Sequence, residues 1–491
     1  MMDPNTPVGG ALDEALPQLR ACVADPQASA ADWLALGQTL LSSAGRNRDL
    51  QREALAALVR AYQLDAACEP TLLATIAQTA FIVRDWGLVD SVTAILLAQN
   101  ATDANALIWR AAAVQLQNDF AEAERLLREA VRVVPGNPVA LHKLALCLKE
   151  QARFAEAETL LRHVLELSLQ NAHAQFDLSE LEIRSDRYAD GWARYESRIA
   201  FGDDLNDAHR VLTDISAYWQ GQSLAGKTLV VYGEQGHGDC LWAVRFLPLL
   251  AERAQREGGR VIFGHEGPLQ HLFERVLPQG VTLETSLDTR PDFHCGLMSL
   301  PLRLGIVDSS GWGGAYLSAD PQRAELWRTQ VAQSAAAGTK VGLVWNGNPQ
   351  HIRDARRSVP VDQLEPLLTV PGVTYFALSP GRAATVHAWR THGIEIVDPT
   401  SQFEAGFDDV AALLTNLDLL VTIDSGPAHL AGALGVPTCL MIDHVSAWFW
   451  GNETQRTPWY DSVELFRQPA IGEWAPVLAR VRARIAALAA R

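Results

Sequence analysis

The stretch Leu419-Leu-Val-Thr-Ile-Asp-Ser-Gly-Pro-Ala-His-Leu-Ala-Gly-Ala-Leu-Gly435 decides the fold of the second half of the chain. Its apolar run, Leu419, Leu420, Val421 and Ile423, suits a buried parallel strand. Asp424-Ser-Gly-Pro427 then stops the strand and opens a helix, because Ser caps helices and Pro is tolerated in a first turn. The free amide N–H groups of such a helix start point outward with the positive end of its dipole. Ser425, Gly426 and His429 add a hydroxyl, close backbone approach and a ring donor, a set that suits an anion such as a diphosphate. The plainer alternative is an ordinary capped βα turn whose His429 faces solvent.

Around this turn the second half alternates strands and helices, which implies parallel, doubly wound sheets. Thr228–Tyr232 is a strand, Gly233-Glu-Gln-Gly-His-Gly-Asp239 a glycine-rich turn, and Cys240 to Arg253 an apolar-periodic helix. Arg260–Phe263 follows as a strand, Pro268 to Leu277 as a helix, and Phe293 to Leu297 as a further apolar stretch. After a small-residue break at Ala335–Thr339, a second series runs through Lys340–Trp345, Val373–Leu378, Ile394–Ile396, the 419–435 stretch and Thr438–Ile442. Val477, Leu478, Val481, Ile485 and Leu488 then have the spacing of a terminal helix. Both glycine-rich turns fall at strand carboxyl ends, so two Rossmann-like lobes are expected to face each other across a cleft.

The first two fifths differ in kind. Trp86, Phe120, Phe154 and Tyr188 recur every 34 residues, the period of the tetratricopeptide (TPR) helix–turn–helix repeat. Small residues at Ala77, Ala111, Ala145 and Ser179 keep the same interval, where paired helices approach closely. An earlier, less regular unit begins near Trp33 and carries a polar insertion around Gly45 to Asp49. About five repeats form an α-solenoid, whose concave face suits a peptide or another subunit; a spacer or dimerisation surface is the alternative. The expected domains are residues 1–200 (repeats), 201–226 (an acidic connector), 227–334 (first lobe) and 335–491 (second lobe with the terminal helix).

The 491 residues are 48% hydrophobic and 20% charged, which suits several folded domains and excludes disorder as the main state. A formal net charge of -16 argues against a nucleic-acid partner or an anionic membrane surface. The six cysteines are never closer than 46 positions, so neither a metal-ligand pair nor a disulfide framework is expected. Residues 1–10 lack a basic region followed by an apolar core, and no apolar stretch approaches membrane-spanning length, so a cytoplasmic location without an integral membrane segment is expected.

The glycines at 233, 236 and 238 do not have the spacing of a dinucleotide fingerprint, and Arg260–His265 carries no acidic residue at its end. No redox cofactor is expected. Asp239 could instead take a proton from an attacking hydroxyl, or merely cap its own helix. In the second lobe, Asn346, Asn348, Arg353, Arg356 and Arg357 crowd a strand end, and Arg suits bidentate phosphate contact; a solvated basic loop is the alternative.

Glu234-Gln-Gly-His-Gly-Asp239, Trp345-Asn-Gly-Asn-Pro-Gln-His-Ile-Arg-Asp-Ala-Arg-Arg-Ser-Val-Pro360, Ile423-Asp-Ser-Gly-Pro-Ala-His-Leu-Ala-Gly-Ala-Leu-Gly-Val-Pro437 and Thr457-Pro-Trp-Tyr-Asp-Ser-Val-Glu-Leu-Phe-Arg-Gln468 are four motifs in order. With the repeats they resemble the bacterial tetratricopeptide-repeat glycosyltransferases, whose catalytic half is similar to the heptosyltransferases. The resemblance implies a GT-B fold, a nucleotide-diphosphate sugar as donor on the second lobe, no metal and no cofactor, and inversion at the anomeric carbon. By motif position it makes Asp239 the catalytic base, with His237 or Glu234 able to share the role, since His237 stands where relatives carry a small apolar residue. It assigns donor binding to Ser425, Gly426 and His429, the shape of their turn to Asp424, and the balancing of phosphate charge to Arg357. Asn346, Asn348, Arg353 and Ser358 complete the expected donor set.

Together these observations imply a cytoplasmic inverting glycosyltransferase whose repeats recruit a protein acceptor, such as a flagellin or another surface protein. Transfer to a lipid or oligosaccharide is one alternative, and a non-catalytic TPR adaptor with a degenerate nucleotide-sugar site is another.

Overall fold

The computed structural model describes residues 9–45, 47–204, 207–265, 267–286, 290–335, 338–351, 353–452 and 455–490. The expectations for Met1 to Val8, and parts of those for the 45–49 insertion (Arg46), the connector (Leu205, Asn206), the small-residue break (Ala336, Ala337) and the basic segment (Ile352), lie outside these residues. The chain forms two compact units, residues 1–169 and 170–491.

In the first unit a leading helix, Gly9–Val23, precedes four helix pairs: Ala30–Ala44 with Arg48–Leu64, Leu72–Val83 with Trp86–Gln99, Ala104–Leu116 with Phe120–Val133, and Pro138–Glu150 with Phe154–Leu167. A fifth pair, Ala172–Arg184 with Tyr188–Tyr195, lies in the second unit, so the division falls earlier than residue 200. Each aromatic of the 34-residue period is the first residue of a second helix. Ala77, Ala111, Ala145 and Ser179 are fully buried. The turn inside each of these pairs is made by one left-handed residue two positions before the aromatic: Arg84 (φ 66°), Asn118 (62°), Ala152 (59°) and Asp186 (60°). Such a backbone suits Gly, and Asn or Asp tolerates it. Ala152→Gly should therefore stabilise the repeats by about 1 kcal/mol and raise their melting temperature by roughly 2–4 °C in a thermal scan.

The second unit holds two sheets whose strands all pair in parallel. The first contains β1 (Ala217–Tyr218), β2 (Thr228–Tyr232), β3 (Arg260–Gly264), β4 (Val281–Glu284) and β5 (Phe293–Gly296), in the order β1-β5-β2-β3-β4. The second contains β6 (Thr339–Leu343), β7 (Val373–Ala377), β8 (Ile396–Val397), β9 (Leu419–Ile423), β10 (Thr438–Ile442) and β11 (Val463–Arg467), in the order β11-β10-β9-β6-β7-β8. Every residue of β7, β9 and β10 is buried, as continuous apolar runs covered on both faces should be. The sequence analysis did not anticipate β1, β4 and β11, which are edge strands. β1 lies within the expected connector, after the helix Asp207–Ile215, and β11 reads Val463-Glu-Leu-Phe-Arg467, a weak signal.

The helix after β2 also departs from expectation. It starts at His237 rather than Cys240, ends at Ala243, and a 3-10 turn, Val244–Phe246, separates it from a second helix, Leu247–Glu257. Pro248 in the first turn of that second helix fits a break at this point. Asp239 therefore belongs to a first helical turn. The terminal helix, Ala475–Ala489, buries Val477, Leu478, Val481 and Ile485, and Arg482 Nε donates to Pro366 O at 3.0 Å.

The fifth helix pair is part of this unit's core because its aromatics Tyr188, Trp192 and Tyr195 are buried in it. Trp192 packs its ring 5.8 Å from Trp242 and 5.4 Å from Trp448, and Tyr188 lies edge-on to Trp459 at 5.7 Å. Arg245 is buried among Trp242, Tyr316, Trp459 and Tyr460, and donates to the carbonyls of Trp242, Trp312 and Trp459. With Tyr316 and Leu317 N–H both donating to Ala433 O, these contacts hold the two sheets in one unit.

Candidate functional site

A cleft of about 1040 Å³ opens where strand carboxyl ends and helix starts of the two sheets converge. Its first-sheet side is Gln235 to Asp239, its second-sheet side includes Asn346, Asn348, Arg353, Arg357 and Asp424 to Gly426, and His429 closes its floor. The structure thus brings together ten of the thirteen residues singled out in the sequence, leaving out Glu234, Arg356 and Ser358.

Asp239 is the third residue of its helix, and its Oδ2 accepts the Gly236 N–H at 2.9 Å. Asp239 thus caps its own helix start while it lines the cleft. Burial in the crevice pushes its carboxyl up to about 7, against the pull of the Gly236 amide and its own, while Asp424 and Glu234 add repulsion. His237 beside it sets its ring edge-on to Phe407 at 5.4 Å, and burial lowers its pKa.

Glu234 does not reach the cleft. It is buried, takes two donors from Arg198 at 2.6 and 3.0 Å and a third from Met298 N at 3.0 Å, so it cannot share the base role. Ser358 also stands back: its Oγ accepts Gly347 N–H at 3.0 Å and donates to Asp354 at 3.1 Å, which ties together the 347–358 loop.

The turn at 424–426 forms as expected, with Ser425 in the position that precedes helix Gly426–Leu434. Ser425 Oγ, however, donates to Ile423 O at 3.1 Å instead of capping, so the first-turn amides receive no side-chain cap. His429 does not face solvent: it is buried, and burial pushes its pKa down to about 4, so its ring is neutral. Its Nδ1 pairs with Tyr460 Oη at 3.0 Å and its ring sits among Phe449, Trp450 and Tyr460. The other edge of the ring meets Gly238: a Cβ there would lie 2.8 Å from His429 Cδ2, so only glycine lets the two turns approach this closely.

The basic side is partly neutralised by its own carboxylates. Arg353 pairs with Asp443 at 2.7 Å and donates to Val445 O. Arg357 contacts Asp354 at 3.3 Å and Asp424 O at 3.1 Å, in space that Gly347 leaves open, since a Cβ at 347 would lie 2.6 Å from its guanidinium. Arg356 does not line the cleft. Asn348 Oδ1 accepts Gln350 N–H at 3.0 Å within its own turn. Asn346 Oδ1 is shielded from solvent and has no hydrogen-bond partner among the described residues.

The sequence analysis left Phe407, Asp443, Phe449, His351 and Glu180 out of the site, although all line it. Asp443 could have been found, since it directly follows β10. Glu180, on the first helix of the fifth pair, carried no signal. Among the described residues, no group of three or more His, Cys, Asp or Glu is disposed to hold a metal ion. No helix among them is long and apolar enough to cross a membrane.

Fold and site define a chain of tetratricopeptide repeats joined to a two-lobed α/β unit with a Rossmann-like cleft. The known proteins it is similar to give that class its content. Residues 115–175 match the tetratricopeptide repeat, and residues 404–467 match glycosyltransferase family 9 (heptosyltransferase), a span that contains Asp424 to His429 but neither Asp239 nor Arg357. The chain is 32% identical over 330 residues to protein FlbA of Caulobacter vibrioides, covering 63% of this chain and 54% of that one; it thus spans about half the length of this relative. Similar solved structures include MamA (18% identity, TM-score 0.28, 33% of this chain and 92% of that one). A thermophilic TPR protein of Thermus thermophilus is another (18% identity, TM-score 0.31, 37% of this chain and 96% of that one).

Proposed function

We propose that the chain is an inverting, metal-independent glycosyltransferase that moves a sugar from a nucleotide-diphosphate sugar to a hydroxyl of a protein acceptor recruited by the repeats. The observation that carries this reading is the placement of Asp239, its carboxyl pushed up by burial, in one cleft with an uncapped helix start and Arg357. The glycosyltransferase family 9 match at 404–467 supports it.

In the proposed reaction the acceptor oxygen attacks the anomeric carbon as its proton passes to Asp239, so that the hydroxyl is deprotonated only while it attacks. The bond from that carbon to the diphosphate oxygen breaks, its electron pair leaves with the nucleoside diphosphate, and attack from the opposite face inverts the centre. The growing negative charge meets the Gly426 helix start, Arg357, and a neutral His429 that donates a hydrogen bond rather than a charge. Leu378, Pro380, Phe403, Phe407 and Val410 supply apolar wall for the nucleoside. No nucleic-acid partner is proposed, and the proposed location is the cytoplasm.

A thermal-shift panel of UDP, GDP, ADP, CMP and dTDP tests the donor site: one nucleotide should raise the melting temperature selectively, and the matching nucleotide sugars should then release nucleoside diphosphate on acceptor addition, with EDTA present. Uniform shifts and no release would leave an adaptor. Mass spectrometry of a deletion strain distinguishes acceptors, since loss of a glycopeptide mass shift marks a protein and loss of a modified glycan or lipid marks the alternative.

A further inference from the structure

The turn that carries Asp239 is held from behind by the fifth helix pair and the segment that follows it. Glu234 and Gln235, which precede Gly236 in that turn, both bond into this contact, Glu234 buried behind the cleft and Gln235 at its edge. Arg198 donates Nε and Nη to the two carboxylate oxygens of Glu234 in a buried fork, and spends its other donors on Tyr195 O, Glu196 and Ser299. Gly296 makes room for the pair, since a Cβ there would lie 2.0 Å from Glu234 Oε1. Gln235 is left-handed (φ 62°), a conformation that costs a non-glycine residue and persists only when its surroundings hold it. Tyr195, the last residue of the fifth pair, supplies that hold: its hydroxyl donates to Gln235 Oε1 at 3.0 Å. Burial keeps this hydroxyl protonated. From there the chain has little freedom before Asp239, because Gly236 N–H is tied to Asp239 Oδ2 and Gly238 is pressed on His429.

We infer that Tyr195 and Arg198 are positioning residues for the transfer reaction: through Gln235 and Glu234 they fix the turn that presents Asp239, making the last repeat part of the catalytic apparatus. The inference rests on the proposed base role of Asp239 for its kinetic consequence, but not for its structural one. The two parts are therefore read separately.

Tyr195→Phe keeps the buried ring and removes only the hydroxyl, so it should fold; Arg198→Lys keeps the charge and removes the fork. Hydrogen–deuterium exchange of the full-length protein, read at residues 233–240, should quicken about tenfold or more in Tyr195→Phe and further in Arg198→Lys, with exchange in β7 and β9 unchanged. In the transfer assay Tyr195→Phe should lower kcat about tenfold with the donor KM unchanged, and displace the midpoint of the pH–rate profile away from that of the wild type. Unchanged exchange at 233–240 in Tyr195→Phe overturns the inference whatever the activity does. Faster exchange with unchanged kcat and pH midpoint overturns the positioning role. If exchange quickens while Asp239→Asn transfers sugar at the wild-type rate, the base assignment falls and the restraint on the turn stands.

Discussion

Asp239→Asn is expected to lower kcat for sugar transfer by about 10²–10⁴-fold, the usual contribution of a positioned base, while the selective nucleotide still raises the melting temperature as it does for the wild type. The amide can keep the hydrogen bond from Gly236, so the turn persists and only proton acceptance is lost. The same carboxyl sets the pH dependence. With its pKa raised to about 7, the wild type should gain kcat/KM about tenfold per pH unit below neutrality and level off above it. The stability effect has the opposite sense. An acid whose pKa is higher in the folded than in the unfolded chain contributes stability fully present below the unfolded value near 3.8, and lost as pH rises through about 7. Asp239→Asn should therefore melt above the wild type at pH 8, by about 2 kcal/mol once partial access to water is allowed for, and the gap should close below pH 4. A variant that is inactive but also less stable at pH 8 would mean that the carboxyl serves the helix start rather than the reaction.

Arg357→Ala should lower kcat by about 10²-fold and weaken nucleoside diphosphate binding, while the corresponding nucleoside binds as before. The side chain lines the cleft and is held by Asp354 and by the carbonyl of Asp424, which orients it toward the 424–426 turn. Arg357→Lys should recover only part of the loss, because one ammonium cannot contact Asp354, the Asp424 carbonyl and a phosphate as a planar fork does. Calorimetric titration with nucleoside and nucleoside diphosphate in parallel checks this. An equal loss for both ligands would show that the 346–358 loop had collapsed, and would remove Arg357 from the phosphate contacts.

Much of the fold was legible because it is encoded over short spans. The 34-residue recurrence of Trp86, Phe120, Phe154 and Tyr188 predicted where four second helices begin, and the apolar run before Asp424 predicted β9 and the helix start behind it. The edge strands β1, β4 and β11 escaped because a short strand that is half exposed has neither a continuous apolar run nor a long alternation. The site was legible in position but not in chemical state. The sequence offered His429 as a ring donor without fixing its charge, and Phe449, Trp450 and Tyr460 enclose it and hold it neutral. Glu234 sits in the same motif as Asp239 and looks equally available until Arg198, 36 positions earlier, claims it.

The sequence alone therefore determined the helical repeats, the alternation of strands and helices, and the two glycine-rich turns that approach each other at the cleft. It could do so because helix period, strand runs and turn chemistry are properties of neighbouring residues. Only the tertiary structure decided which carboxylate is sequestered and which faces the cleft, that Asp239 is raised while His429 is lowered, and that the fifth helix pair packs into the α/β unit. Those outcomes depend on desolvation and on partners tens to hundreds of positions away, and no local pattern carries that information.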